Sequence, residues 1–344
     1  MAIKSDKKLV RKTNREKLKE KYQPKPEFVE RVEKLIGKEE AEKFFEISYT
    51  STPNSIRCNT LKISIEDLKE RLKKKGWKIS PPFKDFPEVF IIESRLKPGE
   101  LGKTKEHLLG YYYVQDISSM LSLFVLKPEK GDFFLDLCAS PGSKTTQAAA
   151  MMENQGTIIA NEVSLGRIRI LNSNLERCGV MNTIVTRCDG VGFCKRIERK
   201  SRFKFDKILV GAPCSGEGTL RKSLKTFQMW NKKVIQGMSK IQKRLAAEAL
   251  KVLKINGEMV YSTCTLGPEE DEEVLDFLKK NFDIEIEKVS LPLKFRKGAC
   301  SWEDKDYDKE VENACRVWPQ DNNTDGFFLA KIKKLSDKCL LEEK

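Results

Sequence analysis

The sequence predicts an α/β protein with a doubly wound, Rossmann-like sheet that ends in an antiparallel C-terminal hairpin, preceded by a small ferredoxin-like α+β domain. Three observations support this fold. After about Leu109, short apolar segments alternate with helical patterns, which is typical of a parallel sheet covered on both faces. Before Leu109, the pattern reads strand, helix, strand, strand. Near the end, two apolar strands enclose a long, irregular insert.

The elements of the large sheet follow from local composition. Apolar runs bounded by turn residues predict five strands, at 133–137, 157–161, 183–186, 207–210 and 258–261. Apolar residues at helical spacing predict two of the intervening helices, at 165–178 and 234–254. Ser164 is the expected N-cap of the first of these helices. Segments 284–289 and 326–332 are expected to form the closing hairpin.

The N-terminal third has shorter elements. Helical spacing predicts helices at 26–35, 39–47 and 65–75, and apolar or alternating runs predict strands at 55–63, 77–79 and 89–92. This order suggests a ferredoxin-like or RNA-recognition-like domain, although it lacks the aromatic signature of single-strand RNA binding. We therefore divide the chain into four parts: a basic arm (1–26), an α+β domain (27–108), a larger α/β domain (109–335) and a tail (336–344).

Composition limits the partners and the compartment. Lys and Arg outnumber Asp and Glu by 65 to 51, a net charge of +14 that suits a polyanionic partner such as nucleic acid. A soluble protein with a Lys-rich surface has the same surplus, so charge alone does not decide. The ten cysteines follow no signal peptide, which favours free thiols and a cytoplasmic location.

Membrane-spanning proteins and metalloproteins are disfavoured by features that the sequence lacks. No stretch approaches the ~20 apolar residues of a membrane span. There is no Cys-x-x-Cys pair, and His107 is the single histidine, so we expect no metal site.

Three strand tips in order predict a nucleoside-type cofactor. Segment 135–146 (LDLCASPGSKTT) runs from a strand through small residues into a helix, where backbone N–H groups can approach a ligand. Glu162 ends the next strand, about 20 residues on, where a carboxylate can bind ribose hydroxyls. Asp189 follows the third strand and could face an adenine amino group. Taken singly, both acids would be read as surface carboxylates.

Two cysteines follow the fourth and fifth strands. Cys214 lies in VGAPCSG and Cys264 in YSTCT, so both are expected at the ligand-binding edge of the sheet. Pro268 indicates a helix start after Cys264, whose N–H groups would lower the pKa of its thiol. Addition of a thiolate to carbon 6 of cytosine makes carbon 5 nucleophilic, and a second group must then help to release the adduct. The alternative is two buried core cysteines.

Taken together, these motifs resemble the Nol/Nop/Sun family of RNA 5-methylcytosine methyltransferases. The resemblance covers nearly the whole chain after residue 26. It rests on segments 57–60 (RCNT), 114–119 (VQDISS), 136–144 (DLCASPGSK), 212–218 (APCSGEG), 262–265 (STCT), 268–270 (PEE), 316–319 (RVWP) and 324–328 (TDGFF).

The resemblance implies a Rossmann-like methyltransferase domain that uses S-adenosyl-L-methionine, and an RNA-binding N-terminal domain. The loop expected around the cofactor comprises Cys138, Ala139, Ser140, Pro141, Gly142, Ser143 and Lys144. Glu162 would hold the ribose, Arg167 would support the loop, and Asp189 would lie near the adenine. Cys264 would be the nucleophile, and Cys214 would help to release the adduct. The size of the chain favours tRNA over rRNA as the substrate. We expect a monomer.

Gly211 departs from the family pattern. Relatives usually carry Asp directly before Ala-Pro-Cys, near the cofactor, where it is thought to engage ring nitrogen 3 or the amine of cytosine. Either Lys144 or water replaces this group as part of the catalytic set, or the protein is catalytically impaired. The alternative function is then a cofactor-binding RNA chaperone or assembly factor. Methylation of proteins or small molecules is disfavoured by the paired cysteines and the basic surplus.

Overall fold

The computed structural model describes residues 13–200 and 203–340. The N-terminal part consists of α1 (Asn14–Lys21), α2 (Pro26–Ile36), α3 (Lys38–Ser48), β1 (Asn54–Cys58), α4 (Ile65–Lys74), β2 (Ile79–Ser80), β3 (Val89–Ile92), α5 (Glu100–Lys103), α6 (Lys105–Leu108) and β4 (Tyr112–Val114). Most of the predicted basic arm, residues 1–12, lies outside the described residues, as does the end of the tail, 341–344.

The larger part follows directly. It consists of α7 (Ile117–Leu126), β5 (Phe133–Asp136), α8 (Ser143–Met151), β6 (Thr157–Asn161), α9 (Leu165–Cys178), β7 (Thr183–Thr186), α10 (Gly190–Lys200), β8 (Phe205–Gly211), α11 (Lys225–Met229), α12 (Lys232–Val252), β9 (Leu253–Thr263), α13 (Glu272–Asn281), β10 (Phe282–Glu287), β11 (Arg296–Lys297), β12 (Ser301–Trp302), β13 (Lys305–Asp306), β14 (Cys315–Val317), α14 (Pro319–Asn322) and β15 (Phe327–Cys339). Short 3-10 turns cover Glu217–Thr219 and Lys309–Asn313.

The small sheet has the strand order β2-β3-β1-β4, with all neighbours antiparallel. This order confirms the predicted ferredoxin-like type. Its fourth strand, β4, lies beyond residue 108 and was too short to be recognised in the sequence. The predicted strand 55–63 was too long, because buried Asn59 turns the chain. The Asn59 side-chain amide donates to the carbonyls of Gly110 and Cys178, each at 2.8 Å.

The large sheet confirms the doubly wound prediction. Its order is β11-β14-β15-β9-β8-β5-β6-β7, and β10 pairs with β15. Strands β5 to β9 are mutually parallel, whereas β15 is antiparallel to both β9 and β10, as predicted for the closing hairpin. Strand β9 begins at Leu253, earlier than predicted, because it follows α12 without a loop and residues 254–256 are exposed instead of forming a buried apolar run.

Both faces of the parallel strands are buried. Along β8, Ile208 and Val210 face one apolar core, whereas Leu209 between them faces the other. Helices α10, α12 and α13 supply the first core, and α7 and α8 the second. Helices α2 and α3 pack against Trp230 and Trp318 of the larger part.

The winding reverses between β5 and β8. From β5 the chain proceeds outward through β6 and β7, and it then returns to place β8 and β9 on the other side of β5. The strand-to-helix loops diverge at such a point and leave a crevice at the carboxyl ends of the strands. The fold therefore predicts a ligand site beyond Asp136 and Gly211.

Candidate active site

A cavity of about 650 Å³ opens at this crevice, large enough for a nucleoside-sized ligand and a base. One half, here called the loop half, is lined from the tips of β5, β6 and β7 by Cys138, Ser140, Pro141, Glu162, Arg167 and Asp189. The other, here called the thiol half, is lined by residues 113–116, 118 and 119 together with Cys214, Lys222, Cys264 and Asp325. Ser143, Lys144 and Gly211 also line the cavity.

The loop after β5 is fixed from both sides. The Arg167 guanidinium donates to the carbonyl of Ser140 at 2.7 Å, and the Ser140 hydroxyl donates to the carbonyl of Arg167 at 3.0 Å. Below the loop, the Thr145 hydroxyl donates to Asp136, whose pKa is raised to about 6 by burial. Gly142 has φ +101, a conformation that favours glycine, and the next residue begins α8.

Glu162 is an anchored carboxylate. Its side chain is 2% exposed, accepts a hydrogen bond from the Ser164 amide at 2.9 Å and lies 3.4 Å from the Arg167 guanidinium. Ser164 precedes α9, as predicted, but its hydroxyl makes no capping hydrogen bond. Asp189 accepts from the Gly192 amide at 2.9 Å, so one of its oxygens binds the first turn of α10.

The two cysteine thiols are in direct contact. The Sγ atoms of Cys214 and Cys264 lie 3.3 Å apart. This contact and burial raise the pKa of Cys214. The pKa of Cys264 is lowered, first by the hydrogen bond from Cys214 and then, against the opposing effect of burial, by Lys144 and Lys222. Cys264 is therefore the thiol of the pair that ionises more readily.

The predicted cause of this activation was wrong. Pro268 begins a turn, and α13 starts only at Glu272, too far along the chain for its N–H groups to be the main influence on Cys264. The charges that lower its pKa come from α8 and from the segment after Cys214, which the tertiary fold brings together.

The Lys144 ammonium group lies beside Gly211. A Cβ atom added to Gly211 would lie 3.8 Å from the Lys144 ammonium nitrogen, an ordinary contact distance. The same nitrogen lies 5.7 Å from the centre of the Phe327 ring, in cation–π range. Gly211 therefore leaves room for a side chain, and Lys144 faces the space.

Backbone hydrogen bonds support the thiol half. The Gly218 amide donates to the Cys264 carbonyl at 3.0 Å, and the Gly326 amide donates to the Gly218 carbonyl at 2.8 Å. Beneath Cys214, Glu270 accepts from the Ser215 amide and the Gln242 side chain, each at 2.9 Å. These contacts join three loops that are distant in sequence.

Most of the predicted site residues line this one cavity. Ala139 and Gly142 are not among its lining residues: the Ala139 amide donates to the Asn161 carbonyl at 2.9 Å, and the Gly142 amide to the Ala139 carbonyl at 2.8 Å. Three charged residues in the thiol half had been given no role, Asp116, Lys222 and Asp325. The two acids lie in segments that carry the family resemblance, whereas nothing local distinguishes Lys222 from other surface lysines.

The structure also bears on metal binding and on membrane insertion. Among residues 13–200 and 203–340, no three His, Cys, Asp or Glu side chains are grouped so that they could hold a metal ion. In the same residues, no helix is both long enough and apolar enough to cross a bilayer.

Residues 123–333 match the family model described as 16S rRNA methyltransferase RsmB/F. The chain belongs to the RsmB/F methyltransferase family. Residues 25–117 match the N-terminal domain of the RsmF methyltransferase.

Relatives in the RsmB/F family act on two kinds of RNA. The chain is 42% identical to a tRNA (cytosine(49)-C(5))-methyltransferase of Pyrococcus abyssi, over 89% of this chain and 95% of that protein. It is 40% identical to the ribosomal RNA small subunit methyltransferase F of Vibrio campbellii, over 82% of this chain but only 57% of that enzyme.

Solved structures show the same architecture. A crystal structure of a methyltransferase homologue from Pyrococcus horikoshii superimposes with a TM-score of 0.79 and 34% identity, covering 94% of this chain and 100% of that one. NSun6 from the same organism, with SFG, an analogue of S-adenosylmethionine, gives 0.77 and 26%, covering 91% and 98%. As a member of the RsmB/F family, this protein is an S-adenosylmethionine-dependent RNA methyltransferase.

The loop half fits this cofactor. The first N–H groups of α8 have no partner within the helix and can bind the cofactor's carboxylate. Buried Glu162 and exposed Asp189 both line the cavity and offer acceptors for hydroxyl and amino groups, the polar groups of a nucleoside. The thiol half is then left for the group that receives the methyl.

Proposed function

We propose that this protein methylates carbon 5 of cytosine in RNA, through a covalent bond between Cys264 and the base that Cys214 helps to release. The observation that carries the proposal is the 3.3 Å contact between the two thiols, with opposite pKa shifts, beside a cofactor-shaped half of one cavity. We favour tRNA over rRNA, since the chain spans nearly all of the tRNA-modifying relative but little more than half of the rRNA-modifying one.

The reaction begins at Cys264. Its thiolate attacks carbon 6 of the cytosine, a sulfur–carbon bond forms, and the π electrons of the 5,6 double bond move to carbon 5. Bound S-adenosylmethionine would supply an electrophilic methyl group to that carbon and would leave as S-adenosylhomocysteine. Lys144 and Lys222 favour the thiolate at the start of this sequence.

Release requires loss of the proton on carbon 5. The electrons of the broken carbon–hydrogen bond re-form the double bond, and the sulfur–carbon bond breaks to return the Cys264 thiolate. The proton passes to the Cys214 sulfur, which has first given up its own proton to solvent. Once Cys264 is bonded to the base, its sulfur no longer carries the charge that holds the Cys214 proton. We therefore assign the assistance in this step to Cys214.

We assign the cofactor to the loop half. The residues proposed to surround it are Cys138, Ala139, Ser140, Pro141, Gly142, Ser143, Lys144, Glu162, Arg167, Asp189 and Gly211. Glu162 would accept from the ribose hydroxyls and Asp189 would lie near the adenine. Arg167 would act indirectly, by fixing the Ser140 carbonyl and Glu162.

The N-terminal domain is assigned to RNA binding. The proposed domain boundaries at residues 26, 108 and 335 place most of the small sheet in a different domain from the methyltransferase sheet. The net charge of +14 supports contact of the protein with RNA phosphates. We further propose a monomer that acts in the cytoplasm, in keeping with ten free cysteines.

Gly211 supports a second candidate, a cofactor-binding RNA chaperone or assembly factor. Bisulfite sequencing separates the two functions: tRNA and rRNA transcripts are incubated with the protein and S-adenosylmethionine, and newly protected cytosines are mapped. Protected cytosines in tRNA are the expected result. No protection with the natural protein, together with protection by Gly211→Asp, would favour the chaperone.

A further inference from the structure

We propose that Asp325, paired with Lys222, is the specificity-determining residue that reads the amino group of the target cytosine. The inference deepens the proposed function and rests on it. It assigns to this chain a base-reading group that Gly211 does not provide.

Cytosine is distinguished from uracil by what it presents beside ring nitrogen 3. Cytosine has an amino donor on carbon 4, whereas uracil has a carbonyl acceptor there and a hydrogen on nitrogen 3. A carboxylate accepts from the cytosine amino group and repels the uracil oxygen, which makes Asp or Glu the side chain suited to the discrimination. Such a group must lie in the thiol half of the cavity, since the base must reach Cys264.

Two carboxylates line the thiol half in the part of the chain that the structure describes, Asp116 and Asp325. Asp116 is already used as the N-cap of α7: one of its oxygens accepts from the Ser118 amide at 2.9 Å and from the Ser118 hydroxyl at 2.6 Å. It stabilises the start of a helix, and its orientation is fixed by that task. Asp325 has no such task.

The Asp325 carboxylate is buried but lacks hydrogen-bond donors apart from its ion-pair partner. Its side chain is 3% exposed and forms an ion pair with Lys222, yet neither oxygen accepts a hydrogen bond from any other residue that the structure describes. Buried carboxylates normally accept several hydrogen bonds, because desolvation without them is costly. The amino group of a bound cytosine would supply one.

Backbone contacts hold Asp325 at a fixed place relative to the nucleophile. The Gly326 amide binds the Gly218 carbonyl, and the Gly218 amide binds the Cys264 carbonyl. A Cβ atom on Gly218 would lie 2.5 Å from the Gly326 oxygen, so the two loops pass as closely as two glycines allow. Preceding Asp325, the Thr324 carbonyl accepts from Arg221 at 3.1 Å.

Lys222 interacts electrostatically with both the Asp325 carboxylate and the Cys264 thiol. It pairs with Asp325, and it also lowers the pKa of the Cys264 thiol, whereas Asp325 raises that pKa. Both groups line the same half of the cavity as Cys264, where a base bonded to its sulfur would lie. Burial and the neighbouring Asp116 carboxylate raise the pKa of the Asp325 carboxyl, and Lys222 opposes that rise. The lysine therefore favours the ionised carboxylate, which is the form that accepts from an amino group.

The test measures the preference for cytosine over uracil with RNA substrates that trap the covalent protein–RNA adduct. Unmodified tRNA transcripts carrying 5-fluorocytosine or, at the same positions, 5-fluorouracil are incubated with S-adenosylmethionine and protein. Fluorine at carbon 5 cannot be lost as a proton is, so the sulfur–carbon bond persists and the adduct is counted on a denaturing gel. Asp325→Asn is compared with the natural protein and with Asp321→Asn, a matched change whose partners, Lys294 and Arg296, lie outside the cavity.

The natural protein is expected to trap 5-fluorocytosine RNA in preference to 5-fluorouracil RNA. Asp325→Asn should reduce that preference about tenfold or more, since its amide can donate to the uracil oxygen. Asp321→Asn should keep the preference. Alkylation of Cys264 by iodoacetamide in the Asp325→Asn variant, at a rate within about twofold of the natural protein, would show that the altered site retains its reactive thiol.

Each other outcome is decisive. An unchanged preference in Asp325→Asn, or an equal loss of adduct with both RNAs, would overturn the assignment of Asp325 while leaving the proposed function in place. Absence of any adduct with the natural protein would overturn the proposed function and, with it, this inference.

Discussion

Cys214 lies with its Sγ atom 3.3 Å from that of Cys264, within hydrogen-bond distance, so the proton of the Cys214 thiol can point at the Cys264 sulfur. The Cys214 thiol keeps it, because the neighbouring charge and burial raise its pKa. The Cys264 thiol accepts the hydrogen bond, and its pKa falls. The same contact therefore prepares the attacking sulfur and places the releasing group beside the bond that must later break.

The first prediction separates attack from release. Cys264→Ala should form no adduct with RNA, because no sulfur can reach the base, whereas Cys214→Ala should accumulate an adduct that survives a denaturing gel. Cys300→Ala, which removes an exposed thiol, should behave like the natural protein. Equal amounts of adduct in the Cys264 and Cys214 variants would refute the two roles.

A second prediction concerns Lys144, whose ammonium group lowers the pKa of the Cys264 thiol after the larger effect of Cys214. Lys144→Met should move the midpoint of Cys264 alkylation by iodoacetamide upward by about one pH unit, because the thiolate loses a nearby positive charge. The measurement is the alkylation rate between pH 6 and pH 10. Lys130→Met, at a surface ion pair with Glu153, serves as the control. A midpoint unchanged by Lys144→Met would exclude this charge as a cause.

Much of the fold could be predicted because its signals are local. Helix α9 was predicted at its observed bounds, since its apolar spacing ends at Cys178 and Gly179 follows in a left-handed conformation. Strands β6 and β7 were likewise predicted at their observed bounds. Strand β4 was missed because three residues carry too little periodicity.

The site was predictable only in part, for a physical reason. Cys214 and Cys264 each follow a parallel strand, so topology alone brings them to one edge. The ion pair of Lys222 with Asp325 depends on three loops crossing at Gly218 and Gly326, and no local pattern encodes that crossing. The cause of Cys264 activation was missed for the same reason.

A third prediction uses two glycines of the site that differ in the space around them. Gly218→Ala should lower the free energy of unfolding by about 1–3 kcal/mol, because its Cβ would meet the Gly326 backbone at 2.5 Å. Gly211→Ala should change it little, since the nearest atom is 3.8 Å away. Urea unfolding followed by circular dichroism measures both. Similar losses in the two variants would contradict the packing of these loops.

A fourth prediction follows from charge. With a net charge of +14, binding of tRNA should weaken steeply as added salt reduces the gain from counterion release, by about tenfold or more between 50 and 200 mM salt. Fluorescence anisotropy of a labelled transcript measures this dependence. An affinity that does not change with salt would show that phosphate contacts contribute little.

The last prediction concerns Glu270, which lies buried beneath Cys214 with its pKa raised to about 7 by desolvation. Its ordinary value in an unfolded chain is 4.5, so the folded protein binds this proton more tightly than the unfolded one. The stabilisation is fully present below pH 4.5 and is lost as the pH rises through about 7.

Glu270→Gln removes this titration and keeps an oxygen that can accept from Ser215 and Gln242. The quantity compared is the free energy of unfolding of the natural protein minus that of the variant. This difference should fall by on the order of 3 kcal/mol between pH 4.5 and pH 7, and it should stay level above pH 7. Urea titrations at several pH values provide the difference. A difference that is constant with pH, or that grows as the pH rises, would mean that Glu270 is ionised in the folded protein throughout this range.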